Sequence, residues 1–299
     1  MKKLYRSLLL APITLCSLFL VRSLIPAQQI PPCPNCATWN APQSPFRIFG
    51  NTYYVGPHGL SAILITSGAG HILVDAALPE SAPQITAHIR ALGFRVEDIK
   101  LIVNSHVHFD HAGGIFELQR LSGARVVASG WSAAVLKKGE VARDDPQFGV
   151  IRGMTPVAHV ETLQDGETLR VGTIELTAHF TPGHTPGGTS WTWKSCDAGH
   201  CLGIVYADSL TPVSADAFKF TSRPQLLEGF QRSFAFLRSA PCDILLTPHP
   251  DTSHLWNRLD ARARNSARDS MIDAAACRDL ADGAADQLAK RLAAEKDKP

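Results

Sequence analysis

The sequence predicts an α/β fold in which two similar halves face each other, with a reactive site along their shared edge. Three observations carry that expectation. Each half reads as strands in hairpins followed by alternating helix and strand. Side chains able to bind metal recur in loops at the carboxyl ends of strands. One stretch, Ser105–Gly114 (S-H-V-H-F-D-H-A-G-G), gathers His106, His108, Asp110 and His111 within six positions.

The N-terminus stands apart. Lys2, Lys3 and Arg6 precede an apolar run from Leu8 to Val21, which is followed by Arg22 and the small residue Ala27. That order reads as a secretory signal peptide over residues 1–27, and the run is short for a stable membrane anchor. Leu15 is too large for lipoprotein processing at Cys16. Residues 1–27 carry Lys2, Lys3, Arg6 and Arg22 and no acid, so their removal turns the formal charge of +2 into −2. A mildly acidic mature chain argues against a nucleic-acid partner. Export to the periplasm suits the cysteines as well. Beyond Cys16 there are Cys33, Cys36, Cys196, Cys201, Cys242 and Cys277, an even set that suggests disulfides. Close spacing favours Cys196–Cys201 and Cys33–Cys36, leaving Cys242–Cys277, but spacing alone leaves the connectivity open. A cysteine zinc site is the weaker reading, because only Cys33 and Cys36 are spaced as C-x-x-C.

Residues 28–45 are rich in proline and polar side chains and are expected to form an extended arm with few contacts. Strands begin at Phe46. Phe46–Phe49 and Thr52–Val55 flank Gly50-Asn51 as a hairpin, and Leu60–Thr66 and His71–Val74 form a second. Asp75 closes that strand, either as a helix cap or as a partner behind a metal-binding histidine. Pro79–Leu92 is an amphipathic helix stopped by Gly93, and Ile99–Val103 is a buried strand leading into the histidine-rich stretch. There, alternate side chains of an extended segment point the same way, so His106 and His108 can reach one point. Asp110 and His111, at the turn into a helix, can face a second. Ala124–Ala128 reads as a strand, Trp131–Lys138 as a helix, and polar Glu140–Val150 as a loop, either a plain surface connection, the more common case, or a roof over the site.

The second half opens with a hairpin of Glu167–Val171 and Ile174–Phe180, then Thr181–Gly188 (T-P-G-H-T-P-G-G). Two Pro-Gly pairs stiffen that loop and present His184 from a strand end. Ser190–Lys194 and Leu202–Tyr206 are strands, the second ending in Y-A-D-S-L-T. Leu226–Leu237 is a helix, and the strand Asp243–Leu246 runs into T-P-H-P, with His249 at its end. Ala261–Ala294 is helical with a break near Cys277. A lone histidine is usually a surface or satisfied core residue, and His58, His71, His88, His159, His179, His200 and His254 read that way. The six remaining candidates, His106, His108, His184, Asp110, His111 and His249, divide into two groups of three. Three protein ligands with one position left for water is the habit of catalytic zinc.

Taken together, H-V-H-F-D-H, T-P-G-H-T-P-G-G, Y-A-D-S-L-T and L-L-T-P-H-P resemble the metallo-β-lactamase superfamily, and within it the third subclass of class B β-lactamases. The resemblance runs from about Asn51 to Cys277. It implies an αββα sandwich over residues 46–299 with the metal site at one edge, and two Zn2+ ions. The residues matching His106, His108 and His184 would hold one ion, and those matching Asp110, His111 and His249 the other. It further implies that a metal-bound hydroxide, oriented by Asp110, opens a small-molecule β-lactam substrate without a serine nucleophile. Ser209 and Thr211, and less directly Gln147, would bind the substrate carboxylate or order a metal-bound water, and the chain is expected to be a monomer. Disulfides matching Cys196–Cys201 and Cys242–Cys277 occur in close relatives. Some relatives tie their arm to a cysteine near the position of His58, which leaves the task of Cys33 and Cys36 open. The competing readings are a glyoxalase-type thioesterase or lactonase of the same superfamily, in which Asp208 would bridge the metals, and a non-enzymatic zinc-binding protein of the periplasm.

Overall fold

The computed structural model describes residues 31–264 and 269–296. The expected leader, residues 1–27, lies outside the described residues. The arm departs from the expected loose tether. Its short helix α1 (Cys36–Trp39) follows a Cys33–Cys36 disulfide. Cys33, Cys36 and Trp39 pack against the first hydrophobic core, because they are apolar and an extended path would leave them in water. Ser81 Oγ donates to Asn40 Oδ1 at 2.6 Å, and the His58 amide donates to Ala41 O at 2.9 Å. The arm is thus secured at the His58 position by hydrogen bonds.

The expected hairpins are present as β1 (Phe46–Phe49) with β2 (Thr52–Tyr54), and β3 (Ile63–Ser67) with β4 (Gly70–Val74). Next come α2 (Ala82–Ala91), β5 (Ile99–Val103), α3 (Phe109–Ala112), α4 (Ile115–Ser122), β6 (Arg125–Ser129) and α5 (Gly130–Lys138). A further strand, β7 (Val160–Leu163), was not expected; it pairs in parallel with β6 and closes the first sheet. The second half contains β8 (Thr168–Val171), β9 (Ile174–Phe180), β10 (Thr189–Asp197), β11 (His200–Tyr206), α6 (Pro224–Ser239) and β12 (Ile244–Leu246). It ends with α7 (Leu255–Arg264) and α8 (Ala276–Lys296). The helical break therefore precedes Cys277, whose disulfide to Cys242 fastens the start of α8 to the segment entering β12.

The strands form a seven-stranded sheet in the order β1-β2-β3-β4-β5-β6-β7 and a five-stranded sheet in the order β12-β11-β10-β9-β8. Alternation along each strand sorts the layers. Ile63 and Ile65, Ile72 and Val74, and Leu101 and Val103 meet Trp191, Trp193, Ile204, Tyr206 and Ile244 between the sheets. Leu64, Leu73, Ile102 and Val126 face the other way, towards α2, α4 and α5. Val205 and Leu245 do the same beneath α6 and α8. Sheets covered on both faces explain why these strands are nearly continuous apolar runs. Each such side chain contributes about 1.5–3 kcal/mol by leaving water. The layers are helix, sheet, sheet, helix, as the motifs imply.

Hydrogen bonds within and across the sheets bring the carboxyl ends of the site-bearing strands to one edge. Thr189 N donates to Ser105 O at 2.8 Å, and Trp191 Nε1 to Asn104 O at 3.0 Å. Ala207 N donates to Leu246 O at 2.8 Å, and Ser61 Oγ to Thr247 O at 2.7 Å. The loops after β5, β9, β11 and β12 meet there.

Candidate metal centre

The loop leaving β5 is built on a buried polar support. Asp75 has φ 59°, a left-handed conformation uncommon outside glycine, and no exposed surface. Its carboxylate accepts from Ser105 N (2.7 Å), Ser105 Oγ (2.7 Å) and Tyr206 OH (2.6 Å). Asp75 is therefore neither a helix cap nor a direct histidine partner: it fixes the residue before His106. Burial pushes its pKa up to about 7, while the bonds from Tyr206 and Ser105 pull it down. Ala76 N donates to His111 O at 2.8 Å. A Cβ on Gly114 would collide with the Ala76 carbonyl, so the glycine of H-A-G-G lets α3 and α4 turn against this support.

His106, His108 and His184 come together as expected, with one ligand atom from each within 4.8 Å of the others. Their ring centroids are 4.6–5.0 Å apart. Each ring has one nitrogen engaged from outside. His106 Nδ1 donates to Asp208 Oδ1 at 2.7 Å, His108 Nε2 to Asp145 Oδ2 at 3.0 Å, and His184 Nδ1 to Thr211 O at 2.8 Å. These bonds fix the tautomers and turn the free lone pairs of His106 Nε2, His108 Nδ1 and His184 Nε2 inwards. A Cβ on Gly188 would strike Asp208 Oδ2, so T-P-G-G provides clearance as well as stiffness.

Asp110, His111 and His249 form the second group, again within 4.8 Å of one another. Asp110 Oδ2 lies 3.3 Å from His111 Nε2 and 3.5 Å from His249 Nε2. His249 rests against the Trp39 ring at 5.3 Å. The groups adjoin through His106 and His111, whose ring centroids are 4.5 Å apart.

Burial and mutual repulsion hold His106 and His184 below the usual imidazole pKa, and burial lowers His111 against the pull of Asp110. Burial also acts against His108, but the Asp145 hydrogen bond and charge outweigh it and raise its pKa. Burial alone would raise Asp110, yet His111 and His249 hold its carboxyl well below the usual range. Burial pushes Asp208 up to about 7, opposed by His184 and His108. Neutral imidazoles and an ionised Asp110 are the forms that bind a cation. His106 Nε2 and His111 Nδ1 are buried with no hydrogen-bond partner. One set of three nitrogens and one of two nitrogens and an oxygen match the donors zinc takes, so the residues fit two zinc ions.

The other expected site residues divide. Gln147 reaches the site, its Nε2 3.4 Å from His184 Nε2. Thr211 meets His184: its carbonyl accepts from Nδ1, and its Oγ1 lies 3.2 Å from the same atom. Ser209 is half-buried and, with Thr211 and His249, lines one end of a cleft of about 490 Å³ that continues to Asp279 and Gln287 on α8. Asp208 stands behind His106 and belongs to neither ligand group. Sequence reasoning missed Asp145, which lies in the polar loop Glu140–Val150, where nothing local marks it as a partner for His108.

A family model of the metallo-beta-lactamase superfamily matches residues 55–201. The chain is 50% identical to MEM-A1, a subclass B3 metallo-β-lactamase isolated from a soil metagenome library, with a TM-score of 0.85 over 87% of this chain and 100% of that one. It is 53% identical to the Rm3 metallo-β-lactamase, with a TM-score of 0.86 over 89% of this chain and 100% of that one. Among curated proteins, a hydroxyacylglutathione hydrolase of Anaeromyxobacter dehalogenans is 30% identical over 131 residues, 44% of this chain and 41% of that protein. The chain spans about half the length, or less, of the first curated relatives it matches.

Proposed function

The chain belongs to the metallo-β-lactamase superfamily, and from that premise we propose that it is a zinc-dependent hydrolase opening the β-lactam ring of penicillins, cephalosporins and carbapenems. The observation that carries the reading is the likeness, at 50% and 53% identity, to two solved metallo-β-lactamases over their whole length.

Two zinc ions, one at His106, His108 and His184 and one at Asp110, His111 and His249, would supply an acidified water and positive charge for the oxygen and nitrogen of the scissile amide. The chain's own residues do the rest. Asp208, Asp145 and the Thr211 carbonyl keep three imidazoles in the tautomer that presents a lone pair inwards. Asp110, ionised and facing His111 and His249 through Oδ2, orients the attacking water. Ser209 and Gln147, at the rim, contact the substrate, while Thr211 acts there through His184. Asp208 is bonded to His106 Nδ1, a position that does not favour the bridging role of the thioesterase reading. Export to the periplasm belongs to the same proposal. Its support is the charged-then-apolar N-terminus and the three disulfides of the described residues.

The test is turnover of a chromogenic cephalosporin and a carbapenem by zinc-loaded protein, with and without EDTA. Hydrolysis of both that EDTA abolishes is the expected result. Absence of turnover with two equivalents of zinc bound would remove the lactamase reading and leave the metal centre standing.

A further inference from the structure

We propose that Asp145 is a positioning residue that couples the loop over the site to the first group of ligands, setting metal affinity at His106, His108 and His184 but not at Asp110, His111 and His249. Asp145 is 1% exposed and His108 4%, so their hydrogen bond has no competing water. One carboxylate does two things. Oδ2 accepts from His108 Nε2 at 3.0 Å, and Oδ1 accepts from the Gln147 amide at 2.8 Å, closing the turn that carries Gln147. The next carbonyl, Pro146 O, accepts from Ala215 N at 2.9 Å, which joins this loop to the one after Thr211. Gln147 and Thr211 in turn both face His184.

The consequence follows from the chemistry of imidazole. With Nε2–H bound to a carboxylate, His108 must offer Nδ1 to a cation. Without that acceptor, the ring can take the other tautomer or leave a buried N–H unpaired, and either weakens its hold on a cation. No residue of the second group is hydrogen-bonded to this loop in the same way. Seating of the loop and occupancy of the first group therefore favour each other, and the coupling is reciprocal.

The proposal rests on the two groups being metal sites, and its test reads metal affinity and loop protection rather than β-lactam turnover. Chelator competition is run on Asp145→Ala and Asp145→Asn in two backgrounds. His249→Ala leaves only the first group complete, and His184→Ala only the second. Asp145→Ala is expected to weaken zinc about 10- to 100-fold in the first background. In the second it is expected to change affinity by less than about threefold, well below that range. Asp145→Asn, which keeps an acceptor oxygen, should lose less. Zinc should slow amide exchange over residues 141–151 in the His249→Ala protein and fail to do so once Asp145 is alanine. The neighbouring Asp144→Ala removes only the bond from Trp131 Nε1 and should leave both affinities unchanged. Equal losses in both backgrounds, no loss in either, or the same loss from Asp144→Ala would overturn the proposal.

Discussion

The two ligand groups use similar donors but are held in different ways. In the first, every imidazole is hydrogen-bonded from behind by a group on another segment: Asp208, Asp145 or the Thr211 carbonyl. In the second, His111 Nδ1 is buried without a partner, and His249 is placed by packing against Trp39, with 32% of its side chain exposed. Hydrogen bonds specify a tautomer and a ring plane; packing specifies only a plane. The first group is thus preorganised for a cation before one arrives, and the second depends more on the cation itself to order it.

Removing one ligand from each group gives the largest effect. His184→Ala and His249→Ala should each bind one equivalent of zinc less and lose well over tenfold in turnover, since metal ligands fix the nucleophile. If preorganisation differs as described, the single site left in His249→Ala binds zinc more tightly than the one left in His184→Ala. Chelator competition giving the opposite order would break the comparison.

A smaller effect is expected from Asp75→Asn, which acts on the support common to both groups. An unfolded Asp ionises near its ordinary value of 3.8, whereas burial keeps Asp75 protonated up to about 7. Between those values the native state holds a proton that the unfolded state has released, so this group's contribution to stability falls as pH rises. Relative to the parent, metal-free Asp75→Asn should therefore gain stability between pH 5 and pH 7.5. Urea midpoints at the two pH values measure this, and an unchanged difference would remove the assignment.

The smallest effect concerns the arm. Aromatic pairs are worth about 0.5–1.5 kcal/mol, so Trp39→Ala should weaken the second group by about 2- to 12-fold. The first should be untouched. Equal weakening of both would show that Trp39 supports the whole edge rather than His249.

The two groups of candidate ligands were legible in the sequence because the clustered side chains and the stiff Pro-Gly and Pro-His-Pro loops are local signals. The hairpins and buried strands were legible for the same reason. What hid was non-local. Asp145 was not singled out, and Asp208 and Thr211 were singled out for other tasks, because each meets its histidine across a long stretch of chain. β7 reads V-E-T-L, buried only at its two ends, too short a pattern to announce a strand without its neighbour β6. The arm's composition suggested a solvated tether, and only the surface it meets makes Cys33, Cys36 and Trp39 a packed element.

Each ligand group draws from both sheets: residues after β5 in the first sheet join His184 after β9, or His249 after β12. A cation in either position therefore cross-links distant parts of the chain, as a disulfide would, but by a bond that forms and breaks with the free ion concentration. Its binding energy becomes folding energy through mass action, growing as RT ln(1 + [L]/Kd). The protein's resistance to unfolding should then track the metal supply of its surroundings.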